Sequence, residues 1–190
     1  MLGAVAYKVS ADQEVKALYT LPARPTVVLV ENYRQPDLAA TDAELLARCL
    51  HARLESLKVV QLVGPEKILE LRSKRSKDFR NMTVPDIGRA VGAEQVIYVD
   101  LESGGLATMG DASIIRGRAV VLVKVVDVAT GETRWPPDLS DGRAVTFETN
   151  PTDLTDRVRP DQLRYALYDG LAIQVVRLFT NWRADDALPQ

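Results

Sequence analysis

One cysteine and one histidine, Cys49 and His51, are all that the 190 residues offer of either type. No intrachain disulfide and no Cys/His zinc cluster can be made from that inventory. The net charge is only −2, so no broad basic field draws the chain onto nucleic acid. No apolar run reaches the ~20 residues that a membrane-spanning helix needs. Met1–Ala6 lacks the basic flank and apolar core of a signal peptide, so any export signal would lie upstream of Met1. Catalytic motifs are also missing. There is no GxxxxGK[ST], no GxGxxG after the first strand, no HExxH and no GxSxG. A triad would have to use His51, which stands beside the apolar stripe of a predicted helix and reads as a surface or boundary residue. Cys49 reads as a small buried hydrophobe.

What is present is the patterning of an α/β domain. Residues 1–25 end in Leu21-Pro22-Ala23-Arg24-Pro25 and read as an extended leader. Thr26–Val30 is a β-branched run of the kind that forms a buried strand. Thr41-Asp42-Ala43-Glu44 has the form of a capping box, and Leu46, Leu50, Leu54 and Leu57 continue at helical spacing, predicting a helix over 42–57. Val59–Val63 reads as a second strand, which makes a βαβ unit. Pro65 suits the start of a second helix, and Thr83–Asp86 opens a third that Gly92 closes. Gln95–Leu101 reads as a third strand and Ser103–Ala112, with three glycines, as a mobile loop. Ile114–Val128 is apolar on both alternating faces, the mark of a central or doubly covered strand. A hairpin turn at Gly131 leads to a return strand that stops at Pro136-Pro137, and Val145–Glu148 reads as an edge strand. Leu163, Leu167, Leu171, Val175, Leu178 and Trp182 trace a long amphipathic helix, opened by Pro160-Asp161. The expected fold is α/β, a single-layer mixed sheet of about five strands with helices packed on its faces. It comprises a βαβ start, a β-hairpin and a long C-terminal helix over residues 26–183, followed by a tail at 184–190.

Few residues invite chemistry. Asp100 and Asp111, at a strand end and in the glycine loop, are the weak candidates for holding a hard cation. The basic segment Arg72, Lys74, Arg75, Lys77 and Arg80, with Phe79, reads as an exposed connection that offers a partner surface. Leu106 and Met109 in the glycine loop offer a second contact point. No catalytic or cofactor-binding residue is assigned, and no cofactor is expected.

Three features together carry a resemblance: the apolar strand after a proline-containing leader, Val91-Gly92-Ala93-Glu94 feeding the strand Gln95–Asp100, and the hairpin Asp127-Val128-Ala129-Thr130-Gly131-Glu132-Thr133-Arg134-Trp135 before an amphipathic helix. Over about residues 26–183 this order resembles bacterial envelope lipoprotein domains. They are the group related to the curli secretion channel, the amino-terminal domain of TolB and the outer-membrane activators of peptidoglycan synthases. The likeness implies a non-enzymatic periplasmic domain that docks on a protein partner, tethered to a membrane through a lipidated cysteine upstream of this chain. Two other readings stay open. One is a small metal-dependent or ligand-binding α/β enzyme using acidic residues at strand ends. The other is a cytoplasmic regulatory domain that binds an anionic ligand through Arg72–Arg80.

Overall fold

A computed structural model describes residues 14–32, 40–75, 78–110, 114–153 and 159–183. In chain order the strands are β1 (Glu14–Val15), β2 (Thr26–Glu31), β3 (Gln95–Met109), β4 (Ile114–Asp127), β5 (Thr133–Trp135), β6 (Arg143–Glu148), β7 (Thr152–Asp153) and β8 (Trp182–Arg183). The helices are α1 (Ala40–Ser56), α2 (Glu66–Lys74), α3 (Val84–Ala90) and α4 (Pro160–Val176), with a short 3₁₀ turn at Phe79–Asn81. Among the described residues, six strands make one mixed sheet in the order β2-β3-β4, with β5, β6 and β7 sharing the far side of β4. β2 runs parallel to β3, and the remaining pairings are antiparallel. The mixed α/β sheet expected from the sequence is therefore the observed one.

Alternation along the strands sorts the core into two layers. Val28 and Val30 of β2, Ile97 and Val99 of β3 and Val121 and Val123 of β4 face α1 and α4. Val27, Leu29 and Val96 face the opposite way, onto Ile68 of α2, Phe79, Ile87 of α3 and Val91 just after it. All six residues of β2 are buried, as expected of a parallel strand covered on both faces. Thr83 caps α3 by accepting a hydrogen bond from the Asp86 amide, and Gly92 follows with φ of 77°.

Three expectations need correction. Val59–Val63 does not become a strand. Only Leu62 bridges Thr26, in parallel, before Gly64-Pro65 turns the chain into α2; proline has no N–H with which to extend a ladder. Ser103–Met109 is not a loop. β3 continues through it against Ile114–Val120, with an irregularity between Leu101 and Ser103. Gly104 fits there because a Cβ would lie 2.5 Å from the Tyr168 hydroxyl. β4 itself is the central strand that its sequence predicts, with β3 on one side and β5, β6 and β7 on the other, and Val120 and Leu122 are half-buried on its outer face. Finally, α4 ends at Val176, and Trp182 lies in β8. The apolar spacing outlasts the helix because Leu178 and Phe179 bury themselves in the turns after it.

Residues 14–25, ahead of β2, are docked along the domain. β1 pairs with β8, Leu21 is buried, and Tyr19 stacks on Trp135, which meets Phe179 edge-on. Gln95 donates from its side-chain nitrogen to the Pro22 carbonyl and to the Thr26 hydroxyl.

Candidate binding site

The residues singled out from the sequence fall into separate places. Arg72 is on α2, half-buried, and donates to Glu31 Oε1 at 2.7 Å and to the Val30 carbonyl at 3.3 Å. Its guanidinium also lies 5.0 Å from the centre of the Phe79 ring. Phe79 is buried, so the reading of 72–80 as an exposed connection fails at those two residues: the ring is a core side chain that Arg72 covers. Lys74 is exposed and pairs with Glu70 one turn earlier. Arg75 and Arg80 are exposed, and Lys77 lies outside the described residues. Leu106 packs against the larger core cluster, whereas Met109 is 43% exposed at the end of β3.

Asp100 is buried and sits beside Glu31 in the β2–β3 register. Asp111 lies outside the described residues. Among those described, no three His, Cys, Asp or Glu side chains converge as metal ligands would.

Several other buried ionisable groups have framework partners. Arg53 of α1 grips Asp169 of α4 through two hydrogen bonds of 3.0 and 2.6 Å, a bidentate tie between the helices of one layer. Burial, reinforced by the Asp169 charge, pushes the Cys49 thiol up to about 11. Asp127 builds the hairpin turn. Its Oδ1 accepts from the amides of Ala129 and Thr130, both at 3.0 Å, and its Oδ2 accepts from Arg134 and Arg24. Those amide hydrogen bonds, first that of Thr130, together with Arg134 hold its carboxyl below the usual carboxylate range. The Asp-x-x-Thr-Gly motif thus owes its form to a turn. Asp42, buried at the start of α1, faces Arg164 at 3.6 Å. Burial first, then the Asp42 charge, moves the Tyr168 phenol upward.

A groove also lies open at the free edge of β2, which the sequence did not reveal. α1 supplies one wall with Ala43, Glu44, Ala47, Arg48 and His51; α2 and the chain entering it supply the other with Val63, Pro65, Ile68, Leu69 and Arg72. Val28 and Val30 form the floor of a cavity of about 90 Å³. Two features give it polar character. His51 Nε2 is buried without a hydrogen-bond partner among the described residues, an expensive condition for a ring nitrogen. Arg48 is exposed and makes no ion pair among those residues. Of the charged lining residues, Arg72 is already paired with Glu31, which leaves Arg48 and the Glu44 carboxylate one helical turn apart on α1. A sequence signal for the groove exists only in hindsight: Ala43, Ala47 and His51 recur at a spacing of four, on the flank of the leucine stripe.

An open-faced mixed sheet with two helices on each side is a fold also found in a bacterial lipoprotein. Lipoprotein GNA1162 from Neisseria meningitidis superimposes with a TM-score of 0.50 at 14% identity, covering 82% of this chain and 99% of that one. Looser likenesses, on which no argument rests, are to the PelC dodecamer from Paraburkholderia phytofirmans and to uncharacterized lipoprotein B from Nitrosomonas europaea. The first has a TM-score of 0.41, with 16% identity over 88% of this chain and 96% of that one. The second has a TM-score of 0.43, with 10% identity over 85% and 84%. No protein-family model matches the chain, and no curated protein sequence does. No helix among the described residues is long and apolar enough to cross a membrane.

Proposed function

We propose that this chain is a non-enzymatic binding and assembly module of the bacterial cell envelope, a periplasmic lipoprotein domain that docks on a protein partner. The observation that carries the reading is how its buried charged groups are employed. Glu31, Asp127 and Asp169 are each held by arginine in a structural contact, and the Cys49 thiol is kept protonated. The accessible features include the largely apolar groove beside β2 and the outer face of β3, β4 and β6, which suit contact better than turnover. The fold shared with lipoprotein GNA1162 supports an envelope setting, and the kinship with the curli-channel, TolB and synthase-activator domains belongs to the same proposal.

The test is fractionation of cells expressing the gene with its own upstream coding sequence and a C-terminal tag. The product is expected in the envelope fraction; recovery from the cytosol would overturn the proposal. Titration of the purified chain with Mg²⁺ separates it from a metal-dependent enzyme. No change in melting temperature is expected, and a rise that Asp100→Asn abolishes would favour the enzyme.

A further inference from the structure

β3 outruns its neighbour. β2 pairs with it only as far as Asp100. From Ser103 to Met109 one side of β3 meets β4, and the other meets no strand among the described residues. The direction of the main-chain groups on that stretch follows from β4. Gly117 accepts the Thr149 amide on its carbonyl and gives its own N–H to the Thr149 hydroxyl, so both its groups point away from β3. In an antiparallel pair the residue opposite is turned away in the same manner, and Leu106 is opposite Gly117. Leu106 therefore turns its N–H and C=O to the open side, and Gly104 and Thr108 do the same at the two-residue period. None of the three has a partner for those groups among the described residues.

Exposed edges normally carry a guard against pairing, such as a charge, a proline or a covering segment. The edge of β2 is guarded by residues 61–63 at one end and by Arg72 at the other. β6 has Arg143 and Glu148 at its ends. Gly104-Gly105-Leu106-Ala107-Thr108-Met109 holds neither charge nor proline. The stretch also matches itself. Leu106 packs into the core, so Gly105, Ala107 and Met109 share the outer face. Met109 is 43% exposed, and nothing lies within 4 Å of where a Cβ on Gly105 would stand. Set antiparallel to a second copy about a two-fold axis at Ala107, the edge lays each Met109 side chain beside the other copy's Gly105. Leu106 and the second copy's Thr108 then exchange N–H and C=O, giving about four main-chain hydrogen bonds across the axis. No like charges meet along that seam.

We propose that two copies of this chain associate by pairing β3 with β3 about a two-fold axis at Ala107, making one sheet continuous across a dimer. Such a dimer goes beyond the binding-module reading and is tested on the purified full chain, separately from fractionation.

Sedimentation equilibrium is expected to show a concentration-dependent monomer–dimer equilibrium. Ala107→Lys sets two like charges side by side at the axis and should weaken it about fivefold or more. Thr108→Pro removes an outward N–H and should also weaken it. Both variants should keep the wild-type far-UV dichroism, since Ala107 and Thr108 are exposed. In Ala107→Cys the two sulfurs meet across a non-hydrogen-bonded pair, with about 4.5 Å between Cα atoms, within disulfide reach. Copper–phenanthroline oxidation should cross-link it much faster than Ser73→Cys, a collision control on the exposed side of α2; the native Cys49 is buried. A monomer at every concentration up to millimolar overturns the proposal and leaves the edge to a strand of another protein. A dimer that Ala107→Lys and Thr108→Pro leave intact overturns it as well, as does cross-linking of Ala107→Cys no faster than the control.

Discussion

Two residues show how the surroundings of a side chain decide its chemistry. The Cys49 thiol, raised to about 11 by burial and by Asp169, stays protonated through neutral and mildly alkaline pH, and only the thiolate attacks disulfide reagents. Native protein at pH 8 is therefore expected to react with Ellman's reagent only as fast as it unfolds, and rapid stoichiometric labelling would refute this. Asp127 is shifted in the opposite direction. Asp127→Ala removes acceptors from two amides and two arginines, and is expected to cost about 1–3 kcal/mol in urea unfolding at neutral pH. Because the folded carboxyl is depressed, its stabilisation is complete above the ordinary carboxylate pKa and fades as pH falls through the lower folded value. The gap between wild type and variant should therefore hold steady from about pH 8 to 5 and narrow below roughly pH 4.

Between elements, close approach and charge pairing set the tolerances. Gly170 lets α4 settle on β6: a Cβ there would fall 2.2 Å from the Phe147 ring. Gly170→Ala is expected to destabilise by about 1–3 kcal/mol, and Phe147→Leu in the same chain should recover part of that loss, as a double-mutant cycle would show. The tie between α2 and β2 is asymmetric, since the Glu31 side chain is 4% exposed and that of Arg72 is 32%. Arg72→Met strands a buried carboxylate and should cost roughly 2–4 kcal/mol, whereas Glu31→Gln leaves a cation that reaches water and should cost less. Equal losses in chemical denaturation would argue against that asymmetry.

At the scale of the whole molecule, local signals were legible and long-range ones were not. The β-branched run at Thr26–Val30, the Thr83 cap and the hairpin at Gly131 all lie where local pattern places them. β3 beyond Leu101 was hidden because glycines read as breakers, while the pairing that keeps the chain extended comes from β4. The groove was hidden for the same reason, since it joins residues from 28 to 72 that no short window contains. The resulting unit is also unevenly secured. Trp135 lies in the main core, whereas Trp182 sits on the two-residue ladder with β1, under Arg177 at 4.1 Å. In single-tryptophan variants, Trp135 emission should follow the far-UV dichroism transition in urea, and Trp182 emission should change at lower denaturant. Coincident curves would mean that the β1–β8 ladder is as stable as the sheet.

The parallel pairing of β2 with β3 also sets an order of events during synthesis. Thr26 and Gln95 lie side by side in the sheet, yet the chain between them carries three helices. At about 5–20 residues per second, roughly 3–14 s pass between translation of the first apolar strand and arrival of its neighbour. Throughout that interval Thr26-Val27-Val28-Leu29-Val30 is a sticky, unpaired segment on a nascent chain. A holdase that recognises extended aliphatic stretches would find its natural target there.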